Sequence, residues 1–388
     1  MFRHAFVSVL TVTFFALPSL AIDDALVDRA DKSIDKGIAY LRKAQAADGS
    51  WSAKTGPAVT ALILNALIDR PDIKANDPTV QKALKFILSK AKEDGSIHDG
   101  ILMNYNTAIC LSALSRLNDD PKAAPVIKKG LDYLRKTQYA AGMRDEKGNL
   151  IGEDHAFFGG YGYGKHGRPD GSNTQITIQA FYDNNIDCSK DPAMKRALMF
   201  TARLQGSKAN DLFKKGEIAQ DGGAVYATSI NKDHVGVPQS QADPDGKDEA
   251  LAGRKVSNLR TYGSMTYAMF KTYIYARLEK DDQRVKDALK WVSNNYTFEH
   301  NPGMPEAAKL QGFYYYVLTA ARALDAFGEN TITTADGKKH QWRDDVVKKL
   351  ISVQREDGSW LNEADRWMEG DANMITAFAL LSLEHAAK

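Results

Sequence analysis

The sequence predicts an all-α fold, a closed (α/α)6 barrel of six helix hairpins with apolar helices inside and amphipathic helices outside. Three observations carry this expectation. A short pattern recurs along the chain, a charge-poor helical segment follows every copy, and neither end of the array is polar enough to cap an open stack.

The pattern is clearest at Lys36-Gly37-Ile38-Ala39-Tyr40-Leu41, followed by Gln45, Gly49, Ser50 and Trp51. It returns at Lys129-Gly130-Leu131-Asp132-Tyr133-Leu134 with Gln138 and Gly142, and at Val347-Lys348-Lys349-Leu350-Ile351 with Gln354, Gly358, Ser359 and Trp360. Weaker copies start at Ala83, Ala197 and Ala288. Self-similarity at such spacings marks a repeat architecture. Apolar residues three and four apart make one helix face, and the interspersed Lys, Arg and Asp make a wet one. Asp48-Gly49, Asp94-Gly95 and Asp357-Gly358 punctuate the ends, where glycine can take the positive φ that terminates a helix.

The second segments include Val59-Thr60-Ala61-Leu62-Ile63-Leu64, Asn106-Thr107-Ala108-Ile109-Cys110-Leu111 and Ile375-Thr376-Ala377-Phe378-Ala379-Leu380-Leu381. Helices this poor in charge are buried on most sides. Six of them hide from water only by gathering around one axis, with their amphipathic partners outside. Closure also removes the repeat ends that an open solenoid must cap; the open superhelix is the structural alternative. Units three and four carry long connections at about 139–172 and 206–258, on the rim that bears the amino ends of the inner helices. Long loops in a compact domain are often functional lids, and 230–255 reads as a lid or as disorder.

The first 21 residues read as a signal peptide: Arg3 and His4, an apolar stretch over 5–17, then Ser19-Leu20-Ala21. A single domain over 22–388 is therefore expected to be secreted or periplasmic, with no transmembrane segment after cleavage. Lys and Arg total 51 against 49 acidic residues. A near-neutral chain offers no global field for nucleic acid. Cys110 and Cys188 fall eleven residues apart in helix register, about 16 Å of rise at ~1.5 Å per residue. A disulfide needs Cα atoms within ~7 Å, so none is expected. His155, His166, His234 and His300 lack ligand spacing, and no Walker or Rossmann fingerprint occurs; no metal and no cofactor are expected. The sequence names no protein partner.

The run 36–51 resembles the Lys/Arg-Gly, aromatic, Gln, Gly-x-Trp repeat of squalene–hopene and oxidosqualene cyclases, and Trp360 completes a second good copy. The resemblance covers about 30–385. It implies an α/α toroid in which glutamine and tryptophan tie one hairpin to the next, around a cavity for a terpenoid or other isoprenoid-type molecule. The acid motif of such cyclases, Asp-x-Asp-Asp-Thr-Ala, has its counterpart in Asp170-Gly171-Ser172-Asn173-Thr174-Gln175, where the two later aspartates have become Ser172 and Asn173. A hydroxyl cannot protonate an alkene at a useful rate, so Asp170 is the retained candidate acid. The prenyltransferase zinc motif Asp-x-Cys and the thioester motif are both missing, with Leu318 where the zinc histidine would fall.

The candidate cavity and rim residues are Tyr105, Asn106, Tyr161, Tyr163, Asn173, Tyr262, Tyr267, Tyr314, Tyr315, Trp367 and Asp371. Aromatic faces stabilise carbocations, and they also simply fill space. Asp170, Glu363, Asp365, Glu369 and Asp371, with Glu153 and Asp154 in the long third connection, form a rim set of carboxylates, suited either to helix capping or to acid–base work on a glycan. The expected function is to bind or transform a hydrophobic isoprenoid-type ligand. A non-catalytic envelope binding or assembly protein, and a glycan-active enzyme using the rim carboxylates, are the alternatives.

Overall fold

Two helices form in every repeat. The outer set is α1 (Asp24–Ala44), α3 (Pro78–Ser89), α5 (Ala123–Thr137), α7 (Pro192–Arg203), α9 (Gln283–Asn295) and α11 (Trp342–Ser352). The inner set is α2 (Ala58–Ile68), α4 (Met103–Leu114), α6 (Gly171–Asp183), α8 (Gly263–Tyr275), α10 (Phe313–Phe327) and α12 (Ala372–Ala386). The computed structural model describes residues 24–164, 167–213, 217–230, 236–243 and 258–388. The signal-like segment 1–21, His166, His234 and all of 244–257 lie outside these residues.

Aspartate caps start several outer helices. Asp77, Asp191 and Asp282 accept the backbone N–H of Thr79, Ala193 and Arg284 at 2.8, 2.8 and 2.9 Å. Pro78 and Pro192 take the first helical position, where a missing N–H costs nothing.

Each inner helix packs on the next, α2 on α4 and onward to α12, which returns to α2, and α1 packs on α11 and α12. The ring is closed, and the open superhelix is excluded. The repeat residues form its seams. Gln45 donates to Gly49 O and to Thr79 O of α3, at 3.1 and 3.0 Å. Gln138 and Gln205 reach α7 and α9 in the same way, through Ala193 O and Arg284 O. Gln354 donates to Gly358 O at 2.9 Å and to Ser33 O of α1 at 2.8 Å, joining the last repeat to the first. Gly358 sits at φ +88°, where a Cβ would lie 2.4 Å from Lys36 O, so only glycine lets this turn touch α1.

The tryptophans lock turn to helix. Trp51 and Trp360 donate their indole N–H to Leu41 O and Leu350 O, both at 2.8 Å. Thr60, Thr107, Thr174, Thr266 and Thr376 of the inner helices accept the backbone N–H of Trp51, Ile97, Tyr161, Ala224 and Trp360. Both indoles are buried. Burying ~200 Å² of aromatic surface contributes about 5 kcal/mol at ~25 cal/mol per Å².

The fold adds two short antiparallel hairpins to the helices: β1 (Ala227–Ile230) with β2 (Gly236–Gln239), and β3 (Thr331–Thr333) with β4 (Lys339–Gln341). The first belongs to the long connection before α8. Ile151, Ala156, Phe157, Phe158 and Ile230 make a small apolar cluster of their own. Buried Arg203 pins the 139–172 connection to it, donating to Glu153 O and His155 O while pairing with Asp211 at 2.8 Å. Cys110 and Cys188 are free and buried. Burial pushes the Cys188 thiol up to about 12. No helix among the described residues is long and apolar enough to cross a membrane.

Candidate functional site

The amino ends of the inner helices meet the long connections around a chamber of about 230 Å³. Five of the six inner helices turn a residue of their first two turns inward: Tyr105 of α4, Ser172 of α6, Ser264 and Met265 of α8, Tyr315 of α10, Met374 and Phe378 of α12. Tyr163, Tyr226 and Gln241 come down from the long connections. Leu102, Tyr262, Gly312, Trp367, Met368 and Glu369 complete the wall. Aromatic rings and thioethers dominate it. Tyr163 and Tyr226 place their hydroxyls 3.4 Å apart, and the Tyr105 and Tyr163 rings lie 6.0 Å apart.

Strain collects at the same place. Leu102, Trp367 and Met368 hold φ of 48°, 59° and 68°, and all three line the chamber. Each left-handed side-chain residue costs about 1–2 kcal/mol, and such strain persists where the surroundings over-determine it. Arg366 fixes this turn, donating to Gln311 and Gln241 at 3.1 and 2.8 Å while stacking over the Trp367 ring.

Two carboxyl groups at the chamber level are buried and raised. Glu369 lines the wall. Its oxygens accept the N–H of Tyr315 at 2.9 Å and of Tyr314 at 3.4 Å, together with the Asn362 amide. Burial outweighs these donors and pushes the carboxyl up to about 7. Asp170 sits one layer back and does not line the chamber. Its two oxygens accept the Asn173 N–H at 2.7 Å and the Asn173 amide at 2.8 Å, which caps α6. Burial lifts it to about 6. Ser172 takes the inward position instead, 2.9 Å from the Tyr315 hydroxyl.

Of the residues expected from sequence, Tyr105, Tyr163, Tyr262, Tyr315 and Trp367 come together on the wall. The others do not. Tyr161 occupies the repeat position of Trp51 and is core, its N–H held by Thr174. Asn106 is a brace: it accepts the Ala58 N–H at 2.9 Å and donates to Thr55 O and Ile101 O. Asn173 serves Asp170. Tyr267 packs edge-on against Tyr316, facing the outer layer. Tyr314 is buried beside Phe313. Asp371 caps α12 through the N–H of Asn373 and Met374. Glu153, Asp154, Glu363 and Asp365 are exposed and stand outside the chamber.

The residues missed as wall include Tyr226, Gln241, Met265, Met374 and Phe378, and Glu369 was read only as one of the rim acids. Tyr226 and Gln241 lie in a connection without periodicity, so no signal marked them. Phe378 lies four residues beyond Met374 on one helix face, a spacing that marked it as buried but not toward what. A waist of Tyr105, Tyr315 and Phe378 separates the chamber from a narrower space of about 40 Å³ toward the carboxyl ends of the helices. Among the described residues no group of three His, Cys, Asp or Glu is placed to hold a metal ion.

Comparison with known proteins agrees with this frame. The squalene-hopene cyclase C-terminal domain profile matches residues 53–205. A probable squalene–hopene cyclase of Sinorhizobium fredii is 29% identical over 133 residues, 30% of this chain and 20% of that protein. The squalene–hopene cyclase of Bradyrhizobium diazoefficiens is 28% identical over 136 residues, 31% of this chain and 20% of its own length. The chain thus aligns with about a fifth of these curated relatives. A type II terpene cyclase from Scytonema, solved with its substrate geranylgeranyl dihydroxybenzoate, superposes with a TM-score of 0.54 at 14% identity, covering 94% of this chain and 99% of that one. A family 76 glycoside hydrolase (mannosidase) from Bacteroides thetaiotaomicron gives 0.53 at 11%, covering 94% and 98%. Likeness at these identities speaks for the fold alone. Over residues 53–205 the chain is thus similar to the squalene–hopene cyclase C-terminal domain, and its closed ring is an α/α toroid.

Proposed function

We propose that this chain is a terpene-cyclase-like protein whose rim chamber takes a hydrophobic, isoprenoid-type molecule. The observation that carries the reading is the wall itself: seven aromatic side chains and three methionines, with Glu369 as its one carboxyl among the described residues. An apolar ligand entering it gains about 25 cal/mol per Å² removed from water, and tyrosine and tryptophan faces favour a developing cation. The substrate bound by the Scytonema cyclase supports the ligand class. Chemistry on such a ligand would draw on Glu369, because Ser172 cannot donate to an alkene and Asp170 is turned into the helix cap. The signal-like first 21 residues support a location outside the cytoplasm. A glycan-active reading fits less well, since Glu363 and Asp365 stand outside the chamber and a sugar would leave its hydroxyls against apolar rings.

The test is retention. The full chain is incubated with a lipid extract, re-isolated and analysed by mass spectrometry. Wild type should hold an isoprenoid, and Met265→Trp, which fills the chamber, should lose at least ~10-fold of it, since over-filling a packed site costs about 1–3 kcal/mol. Equal retention by both proteins, or none by wild type, would end the proposal. If turnover is found, Glu369→Gln should abolish it and Asp170→Asn should not.

A further inference from the structure

We infer that the floor of the ring is a second subsite, for a carboxylate-sized oxyanion carried as the head of the molecule in the chamber above. The inference rests on the isoprenoid reading for the body of that molecule and on separate residues for its head.

Two cations face the narrow space below the waist. Lys271 projects from α8 and is 2% exposed. An ammonium has three donors, and the one hydrogen bond of Lys271 goes to the neutral Gln179 Oε1 at 2.8 Å. Arg322 projects from α10, and its Nε is buried with no hydrogen-bond partner. Neither cation has a carboxylate within ion-pair distance among the described residues.

The acids nearby make no direct ion pair with them among the described residues. Asp183 of α6 accepts from Gln179 Nε2 at 2.7 Å, and burial raises its carboxyl. Glu384 of α12 has both oxygens buried without partners, and burial raises its carboxyl. Among the described residues Lys271 and Arg322 thus face the floor with no carboxylate ion-paired to either. Burial and the Arg322 charge weaken the hold of Lys271 on its proton. An anion between the two side chains would relieve both, because an uncompensated buried charge is strongly unfavourable.

Size and access agree. The space of about 40 Å³ admits roughly three water-sized groups at ~10–15 Å³ each, the heavy-atom count of a carboxylate. Asn65 Oδ1 and Gln175 Oε1 are buried there without partners, ready for a water accompanying the head. Tyr105, Tyr315 and Phe378 line both spaces, so one elongated molecule can occupy them together.

The test uses the full chain, farnesoic acid, farnesol and ¹³C-labelled acetate near neutral pH. Calorimetry reads the two isoprenoids and NMR line width reads acetate. The acid should bind at least ~10-fold more tightly than the alcohol, and Lys271→Met and Arg322→Gln should each remove that preference without weakening farnesol, as expected when one partner of a buried charge pair is truncated. Circular dichroism checks that the variants fold, and either one suffices. Equal binding of acid and alcohol by wild type, or a preference kept in a folded variant, overturns the floor and leaves the chamber reading standing. Acetate bound in a Lys271-dependent way, with neither isoprenoid bound, keeps the floor and overturns the chamber. Binding of none of the three overturns both.

Discussion

The seams between repeats and the bore of the ring are built on opposite terms. In the seam that closes the ring the repeat residues have their partners: Gln354 reaches Ser33 O, Trp360 reaches Leu350 O, and Thr376 receives Trp360 N–H. In the bore, Gln175, Arg322 and Glu384 leave buried atoms without partners, Trp367 and Met368 hold left-handed backbone, and Glu369 and Asp170 are carboxyl groups pushed up by burial. The difference teaches that stability is concentrated in the seams, and that they offset the strain and unmet polarity of the bore. A buried polar atom without a partner costs about 1–3 kcal/mol, and those of Gln175 and Arg322 line the narrow space below the chamber.

The comparison breaks if seam variants spare stability or if bore variants reduce it as much. The largest effect is expected from Trp360→Ala, which should lower unfolding free energy by about 3–5 kcal/mol in chemical denaturation while folded protein keeps its ligand affinity. Glu369 should show itself through pH. Its carboxyl titrates near 4.5 when free and about 7 in the fold. The folded state then binds more protons, so this group favours folding below about 4.5 and that contribution is lost as pH rises to 7. At 1.36 kcal/mol per unit the change is about 3 kcal/mol. Glu369→Gln should flatten the stability–pH curve across that window, and an unchanged slope would contradict the assignment. Gln354→Ala should cost about 1–3 kcal/mol by leaving Ser33 O and Gly358 O unpaired, measured as a lower denaturation midpoint. The smallest effect has the opposite sign. Met368→Gly should raise stability by about 1 kcal/mol by relieving its positive φ, seen as a higher Tm together with weaker ligand retention.

Much of the seam was legible in the sequence, since Gln45, Gly49 and Trp51 recur with fixed spacing and act within one turn or on the next outer helix. The chamber was legible in part. Tyr105, Tyr262 and Tyr315 begin inner helices and do face inward. Tyr161 and Tyr267 looked the same in one dimension but point into core: Tyr267 by its rotation on α8, Tyr161 because its N–H is held by Thr174 in the turn before α6. Asp170 carried the resemblance to a cyclase acid, yet its oxygens are taken by Asn173, a partner three residues away that only the local geometry reveals. Tyr226 reaches the chamber from a connection without periodic pattern. Lys271 and Arg322 lie 51 residues apart on separate helices, so nothing in their spacing announced that they share a floor.

The sequence by itself determined the closed ring, because charge-poor helices at regular intervals have one way to leave water and that constraint is written in local periodicity. The tertiary structure alone decided which carboxyl faces the chamber, which tyrosines line it and that two cations stand unpaired beneath it. Those outcomes depend on helix rotation and on neighbours distant in the chain, which hydrophobic patterning does not encode.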